Sequence, residues 1–300
     1  MCVIAGPKRL VHLLFAALVV LIIFPGRRET ASPLWFLLCV VVIEGAAICL
    51  TRHGKHRASC DIASILLLLF IIWELCSTVL DLAHQILIPT PEAVFAVFPA
   101  QWRLMLRGVV SSLSLLAIGF VIALPLGTLM GALTGWVPRL REVAVPIARV
   151  MAPIPAIIYA PYLVALMPSF RAASALVLVL GIFWPTFLQT VNRVVGIDKV
   201  LLDSARSMAL SDSEMIFQVF LPWLIPGVLS SLRVSLSTSF MLLTLAEMMG
   251  AASGLGYFIK NFSDYANYTN VVAGILLVGV VVTALNALLT LIEKKFILWQ

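Results

Sequence analysis

Apolar residues run in long blocks along this chain, at 10–25, 33–50, 62–80, 109–134, 143–167, 172–195, 224–249 and 271–292. Short stretches holding most of the charge separate them. None of the blocks alternates apolar and polar positions as a half-buried strand would. About 20 mostly apolar residues cross roughly 30 Å of hydrocarbon as an α-helix. A helix also satisfies its own backbone groups where no water can. The pattern therefore predicts an all-α, polytopic transmembrane helical bundle.

Two segments interrupt it. Residues 89–91 read Pro-Thr-Pro, which cannot continue a helix, and Glu92 with the apolar residues after it predicts a short amphipathic helix there. The block at 143–167 holds Pro146, Pro153, Pro155 and Pro161. Each removes a backbone donor, so this span is expected to be broken and to pack against protein or a water-filled path. On that ground Pro153, Pro155 and Tyr159 are candidate pathway residues.

The most polar interruption is LLDSARSMALSDSEMIFQVFLPWLIPG at 201–227. Leu202, Ala205 and Ala209 recur at three- and four-residue spacing and form one apolar stripe, with Asp203, Arg206 and Ser207 on the other face. Asp203 and Arg206, three apart, are spaced to pair. Ser211 and Glu214 form a capping box, followed by the apolar Met215, Ile216, Val219 and Phe220. The reading is a helix, a turn at 209–210 and a second helix ended by Leu221-Pro222.

Charge and composition sharpen the picture. The chain has 300 residues, of which 62% are hydrophobic and 11% charged, with a net charge of +6. With the N-terminus inside, the cytoplasmic segments hold Lys8, Arg9, Arg52, Lys55, Arg57, Arg139, Arg141, Arg149, Arg193, Lys199, Arg206, Lys294 and Lys295. The outer segments hold only Arg27, Arg28, Arg103, Arg107, Arg171 and Lys260. That asymmetry orients the chain with both termini cytoplasmic, and it explains the basic balance without a nucleic-acid partner. Lys8 and Arg9 precede an apolar run with no A-x-A-like cleavage site after it, so the run is read as a retained span.

Five cysteines at 2, 39, 49, 60 and 76 form no C-x-x-C pair and are read as small apolar residues. No metal site is expected: His53 and His56 lie in a basic loop with no further histidine near in sequence. No G-x-x-x-x-G-K-[ST], H-E-x-x-H or G-x-S-x-G occurs, so neither a nucleotide-binding loop nor catalytic residues are predicted. Glu247, beside Met248 and the Gly-rich AASGLG at 251–256, is a candidate gate residue at the outer end of its span, with structural hydrogen bonding as the competing reading.

The polar stretch resembles the EAA signature of ABC-importer permeases. Asp203-Ser204-Ala205, then Ala209, then Val219-Phe220-Leu221-Pro222 keep its spacing, with Ala209 standing where that family has glycine. Ile72-Trp73-Glu74 with Ile88-Pro89-Thr90-Pro91, APIPAIIYAP at 152–161 and AEMMGAASGLGYFI at 246–259 are similar to the nitrate/sulfonate/taurine-type permeases. The resemblance spans about 62–298. It implies a six-span type I permease core over 61–300, with residues 1–60 as a two-span N-terminal appendage.

It further implies a multi-pass protein of the bacterial inner (plasma) membrane that is not itself an enzyme. A second permease copy, as a homodimer, a cytoplasmic ABC ATPase dimer holding ATP and Mg, and an extracytoplasmic substrate-binding protein would be its partners. Asp203, Ser204, Ala205, Arg206, Ala209 and Leu210 would dock into the ATPase as coupling helices near 199–221. The cargo implied is a small anion of the nitrate, sulfonate or taurine kind, with a thiamine-precursor-like or other organic nutrient as the alternative. A secondary transporter is the competing class, but it would be expected to show deep charges and repeated halves, which are sparse here.

Overall fold

The computed structural model describes residues 7–24, 26, 28, 32–52, 56–82, 84, 86–208 and 210–296. Among them every regular element is helical. The order is α1 (Pro7–Ile23), α2 (Leu34–Arg52), α3 (His56–Glu74) with a π-helical turn at Leu75–Val79, and α4 (Pro91–Trp136). Then come α5 (Pro138–Met151), a 3₁₀ turn at Ala156–Tyr159, α6 (Ala160–Leu166), α7 (Phe170–Val195) and α8 (Lys199–Ser207). The single turn α9 (Asp212–Glu214) leads through a π segment at Met215–Phe220 into α10 (Leu221–Met248), followed by α11 (Leu255–Asp264) and α12 (Tyr268–Phe296).

Five stretches are long and apolar enough to cross a membrane: Ala58–Val79, Pro91–Trp136, Phe170–Val195, Asp212–Leu232 and Tyr268–Leu291. The pair Pro138–Met151 and Ala156–Leu166, bent by 79°, makes a sixth if counted as one broken span. The apolar parts of α1 and α2, Arg9–Ile23 and Leu34–Leu50, are shorter. The prolines thus break the span expected at 143–167 between Met151 and Ala156, as the loss of backbone donors requires.

Two expectations are corrected. The short helix after Pro-Thr-Pro is not separate: α4 starts at Pro91 and runs on to Trp136, and only a kink at Gln101 (φ −119°, ψ 22°) marks the change. Likewise Leu221-Pro222 does not end the second amphipathic helix. The π segment carries the chain straight into α10, with Pro222 at the junction and Pro226 inside.

The chain packs as two compact units whose borders fall elsewhere than residue 60. One comprises Met1–Met105 and Ile259–Leu276, the other Leu106–Phe258 and Leu277–Gln300. In the first, Val11, Leu18, Phe36, Val40, Cys60 and Leu67 belong to one buried cluster, so α1 and α2 share a core with α3. The glycine after α1 joins it to the π turn: a Cβ on Gly26 would lie 2.7 Å from the Thr78 carbonyl oxygen. Arg28 donates to the carbonyls of Ser77 and Ile88 at 3.3 and 3.2 Å.

In the second unit, α4 meets α7 along glycines. Cβ atoms on Gly127, Gly131 and Gly135 would press on Thr186, Thr190 and Val194 at 3.1, 2.7 and 2.7 Å. Helices in lipid gain little from apolar burial and associate by close backbone approach, which small residues permit.

Candidate functional site

The polar stretch after α7 is built from its apolar stripe. Ala205 is buried, and with Leu202, Leu210, Met215, Ile216 and Phe220 it joins the core cluster that contains Ala132 of α4, Val194 of α7 and Leu224 of α10. The opposite face is open. Asp203, Ser204 and Ser207 are exposed, as are the apolar Val200 and Met208. Ser204 and Ser207 turn their hydroxyls back to the carbonyls of Val200 and Asp203, each at 2.8 Å. At the start of α8 the Val200 N–H donates to the Asp198 carboxylate at 3.0 Å.

Two parts of the sequence reading, the turn at Ala209 and the Arg206 side chain expected to pair with Asp203, lie outside the described residues. The capping box is present. Ser211 Oγ accepts from the Glu214 N–H, and the Glu214 carboxylate accepts from the Ser211 N–H at 2.8 Å. Trp136, at the end of α4, was not singled out by the sequence reading. Its Nε1–H donates to Asp212 Oδ1 at 2.9 Å while its ring meets that of Phe220 edge-on, centroids 5.2 Å apart.

The other candidate residues lie far from this stretch along their helices. Pro153 and Pro155 are exposed in the break between α5 and α6. Tyr159 packs in a cluster with Ala156, Ala160, Val177 and Ala246. Met248 is half-buried. Glu247 is buried and fully engaged: Ser112 Oγ donates to one carboxylate oxygen at 2.7 Å, and the Gly256 N–H donates to the other at 2.8 Å. Ser112 Oγ in turn accepts from the Leu255 N–H at 2.9 Å. One carboxylate therefore holds the first amides of α11, directly and through Ser112, the arrangement a helix N-terminus favours.

Ser112 and the glycine stripe also escaped the sequence reading. For the stripe a signal was present: Gly127, Gly131 and Gly135 repeat G-x-x-x-G inside an apolar block. For Ser112 none was, since its partner is 135 positions away.

With this geometry in hand, the sequence profile of the family described as binding-protein-dependent transport system inner membrane component matches residues 123–297. The chain belongs to that family. A putative aliphatic sulfonates transport permease protein of Bacillus subtilis (strain 168), SsuC, is 27% identical over 234 residues, covering 76% of this chain and 83% of the relative. The taurine transport system permease protein TauC of Escherichia coli (strain K12) is 23% identical, covering 82% and 91%. The nitrate import permease protein NrtB of Leptolyngbya laminosa is 26% identical, covering 63% and 68%.

An inward-facing structure of the MetNI methionine ABC transporter matches with a TM-score of 0.50 at 22% identity, covering 64% of this chain and 97% of that one, which shows the shared fold. The chain is thus a permease subunit of a binding-protein-dependent ABC importer, an inner-membrane component that works with an ATPase and a substrate-binding protein. The profile match begins inside α4 and leaves α1–α3 outside it.

Proposed function

We propose that this permease imports a small oxyanion of the sulfonate or nitrate class, and that residues 199–221 receive the movement of the ATPase. The observation that carries the docking reading is the two-faced coupling stretch. Its apolar stripe is anchored on α4, α7 and α10, while Asp203, Ser204, Ser207 and Met208 remain exposed. A helix made to lie on lipid would carry a basic polar face; this face is near neutral, with Asp203 set against Arg206 among serines and Met208, suited to a protein cleft.

In this reading Asp203, Ser204, Ala205, Arg206, Ala209 and Leu210 form the docking element, of which Ala205 and Leu210 face the permease core and hold it in place rather than entering the ATPase cleft. ATP and Mg are bound and hydrolysed on the separate ATPase subunit, and this chain is no enzyme. Two copies of the chain enclose the path, both termini are cytoplasmic, and the break at Pro153 and Pro155, with Tyr159, Glu247 and Met248, borders that path. Residues 1–60 are an appendage on the permease core at 61–300. The cargo class follows the names of the sulfonate, taurine and nitrate relatives.

Co-purification tests the docking. The wild-type chain should retain the ATPase, and the double change Asp203→Lys with Arg206→Glu should lose it while the permease stays folded in the membrane. Retention of the ATPase by the double variant would remove the coupling role. Uptake of labelled ethanesulfonate and nitrate into proteoliposomes with the whole importer tests the cargo, and ATP-driven uptake of neither would refute the oxyanion class.

A further inference from the structure

Arg171 stands at the end of α7 remote from the coupling stretch. With α7 running from Phe170 to Val195 at 1.5 Å per residue, about 36 Å of helix separates it from the last turn. Its Nη2 donates to Ser114 Oγ at 2.8 Å. The Ser114 hydroxyl spends its own proton on the Ser111 carbonyl at 2.7 Å, so it can only accept from the guanidinium. Ser111 Oγ, one turn earlier on the same face of α4, lies 2.8 Å from Ser253 Oγ in the loop after α10. Joined through the Ser111 carbonyl, these four residues form a polar line across α7, α4 and that loop, all within one compact unit.

What the line lacks is negative charge. Among the described residues no carboxylate pairs with Arg171. Glu247, the acid at this end of α10, is buried and already accepts from Ser112 and Gly256. An arginine carries five N–H donors, of which Ser114 takes one, and the two hydroxyls of Ser111 and Ser253 need only one proton between them. Guanidinium N–H donors and one hydroxyl proton are therefore left over, with no charged acceptor among the described residues to take them. The partial positive charge of the first turn of α7 adds to the guanidinium, since Arg171 is the second residue of that helix. Ser111 and Ser114 also sit inside an apolar stretch of α4 without being buried, which favours a watered surface over lipid.

We propose that Arg171, with Ser114, Ser111 and Ser253, forms an oxyanion-binding site at the end of the permease opposite the coupling stretch. A planar guanidinium fits two oxygens of a sulfonate, nitrate or phosphate group side by side, and the hydroxyl offers a donor to the third. The site gives the cargo proposed above its first contact on the permease, and its purpose rests on that reading. Its chemistry does not.

The test reads the site without requiring transport. In the assembled importer, Ala252→Cys places a thiol beside Ser253, on an exposed residue outside the polar line. It is labelled with an anionic, sulfonate-bearing methanethiosulfonate or with its cationic trimethylammonium counterpart, and the unsubstituted chain serves as control for native cysteines. After correction for their rates with a free thiol, the anionic reagent should react about tenfold faster. Ethanesulfonate or nitrate at millimolar concentration should slow it. Arg171→Gln should bring the two rates to parity and abolish the slowing, and Arg171→Lys, which keeps the charge, should retain most of the preference.

Equal rates with Arg171 present, or a preference that survives Arg171→Gln, would overturn the site. Lipid phosphate is the other source of the same chemistry. Protection that appears only in phosphatidylglycerol vesicles, with none by added ethanesulfonate or nitrate in detergent, would mean a headgroup anchor and would also overturn a solute site. If oxyanion uptake fails while the anionic preference and its loss in Arg171→Gln hold, the cargo reading falls and the site stands.

Discussion

The Glu247 carboxylate occupies the space that a side chain on Gly254 would need. Gly254 has φ +133°, a backbone state that side chains rarely adopt, and a Cβ built there would run into the carboxylate. The glycine is thus required twice, for its angle and for its emptiness. Gly254→Ala should cost of order 1–3 kcal/mol for the backbone strain alone, and more for displacing Glu247 from Ser112 and Gly256. Removing the acid should show the same linkage with a grading. Glu247→Gln keeps one acceptor for the α11 amides, whereas Glu247→Ala leaves buried donors unsatisfied at about 1–3 kcal/mol. Thermal unfolding of the detergent-solubilised chain should therefore rank wild type, then Gln, then Ala. A Glu247→Ala midpoint equal to that of the wild type would show that the carboxylate holds nothing.

A glycine of the stripe and an open glycine of α2 predict different outcomes for the same substitution. At Gly131 an added Cβ would stand 2.7 Å from the Thr190 Cβ and 2.8 Å from the Phe187 carbonyl oxygen. The obstacle includes backbone, so trimming one side chain cannot relieve it and the helices must part. Gly131→Ala should destabilise by about 1–3 kcal/mol, and Gly131→Val by more. Gly45, also inside a helix, has nothing within 4 Å of its Cβ position, so Gly45→Ala should be neutral. A matched pair of melting curves decides it. Similar losses at both sites would mean that the cost is one of helix flexibility and not of contact.

These contrasts bear on what the sequence could reveal. The spans from residue 62 onward were legible because crossing hydrocarbon is a demand on local composition. The break between Met151 and Ala156 and the Ser211–Glu214 capping box were legible because prolines and caps act within a turn. Pro222 misled for a physical reason. A proline closes a preceding helix or opens a following one, and here the π segment at Met215–Phe220 lets the chain pass from one to the other without a stop. The contacts that define the candidate sites were out of reach: Glu247 with Ser112 spans 135 positions and Trp136 with Asp212 spans 76. Nothing in periodicity pairs residues at such range. The G-x-x-x-G repeat lay between these cases, since it announces close packing without naming α7 as the partner.

Phe36 tests whether the N-terminal helices are part of their compact unit or ornament on it. The ring is fully buried, stacked on Phe95 at 5.2 Å and edge-on to Phe70 at 5.5 Å. In water, truncating such a ring costs about 3–5 kcal/mol. In lipid the transfer part of that cost is largely missing, because acyl chains are as apolar as the side chain. The cavity and the lost ring contacts remain, so Phe36→Ala should cost about 1–3 kcal/mol. Leu38→Ala, on an exposed residue of the same helix, should cost little. Unfolding of the purified chain in detergent measures both. If Phe36→Ala melts like Leu38→Ala, then α2 adds no packing energy to the unit.

Trp136 ties α4 to the Asp212–Phe220 stretch by two separable contacts, and they predict different failures. Trp136→Phe keeps a ring against Phe220 but loses the N–H to Asp212, and Asp212→Ala loses the same hydrogen bond from the other side. A hydrogen bond of this kind contributes about 1 kcal/mol, or roughly fivefold in an equilibrium. If ATPase movement reaches α4 through this bond, each variant should keep its bound ATPase and hydrolyse ATP while importing about fivefold less cargo per ATP. Because both variants remove one contact, the double variant should be no worse than either. Trp136→Ala removes the ring contact as well and should also lower stability. The decisive quantity is cargo per ATP in proteoliposomes, since mere instability lowers uptake and hydrolysis together. An unchanged ratio in Trp136→Phe and Asp212→Ala would place the transmission of force elsewhere in the buried cluster around Phe220.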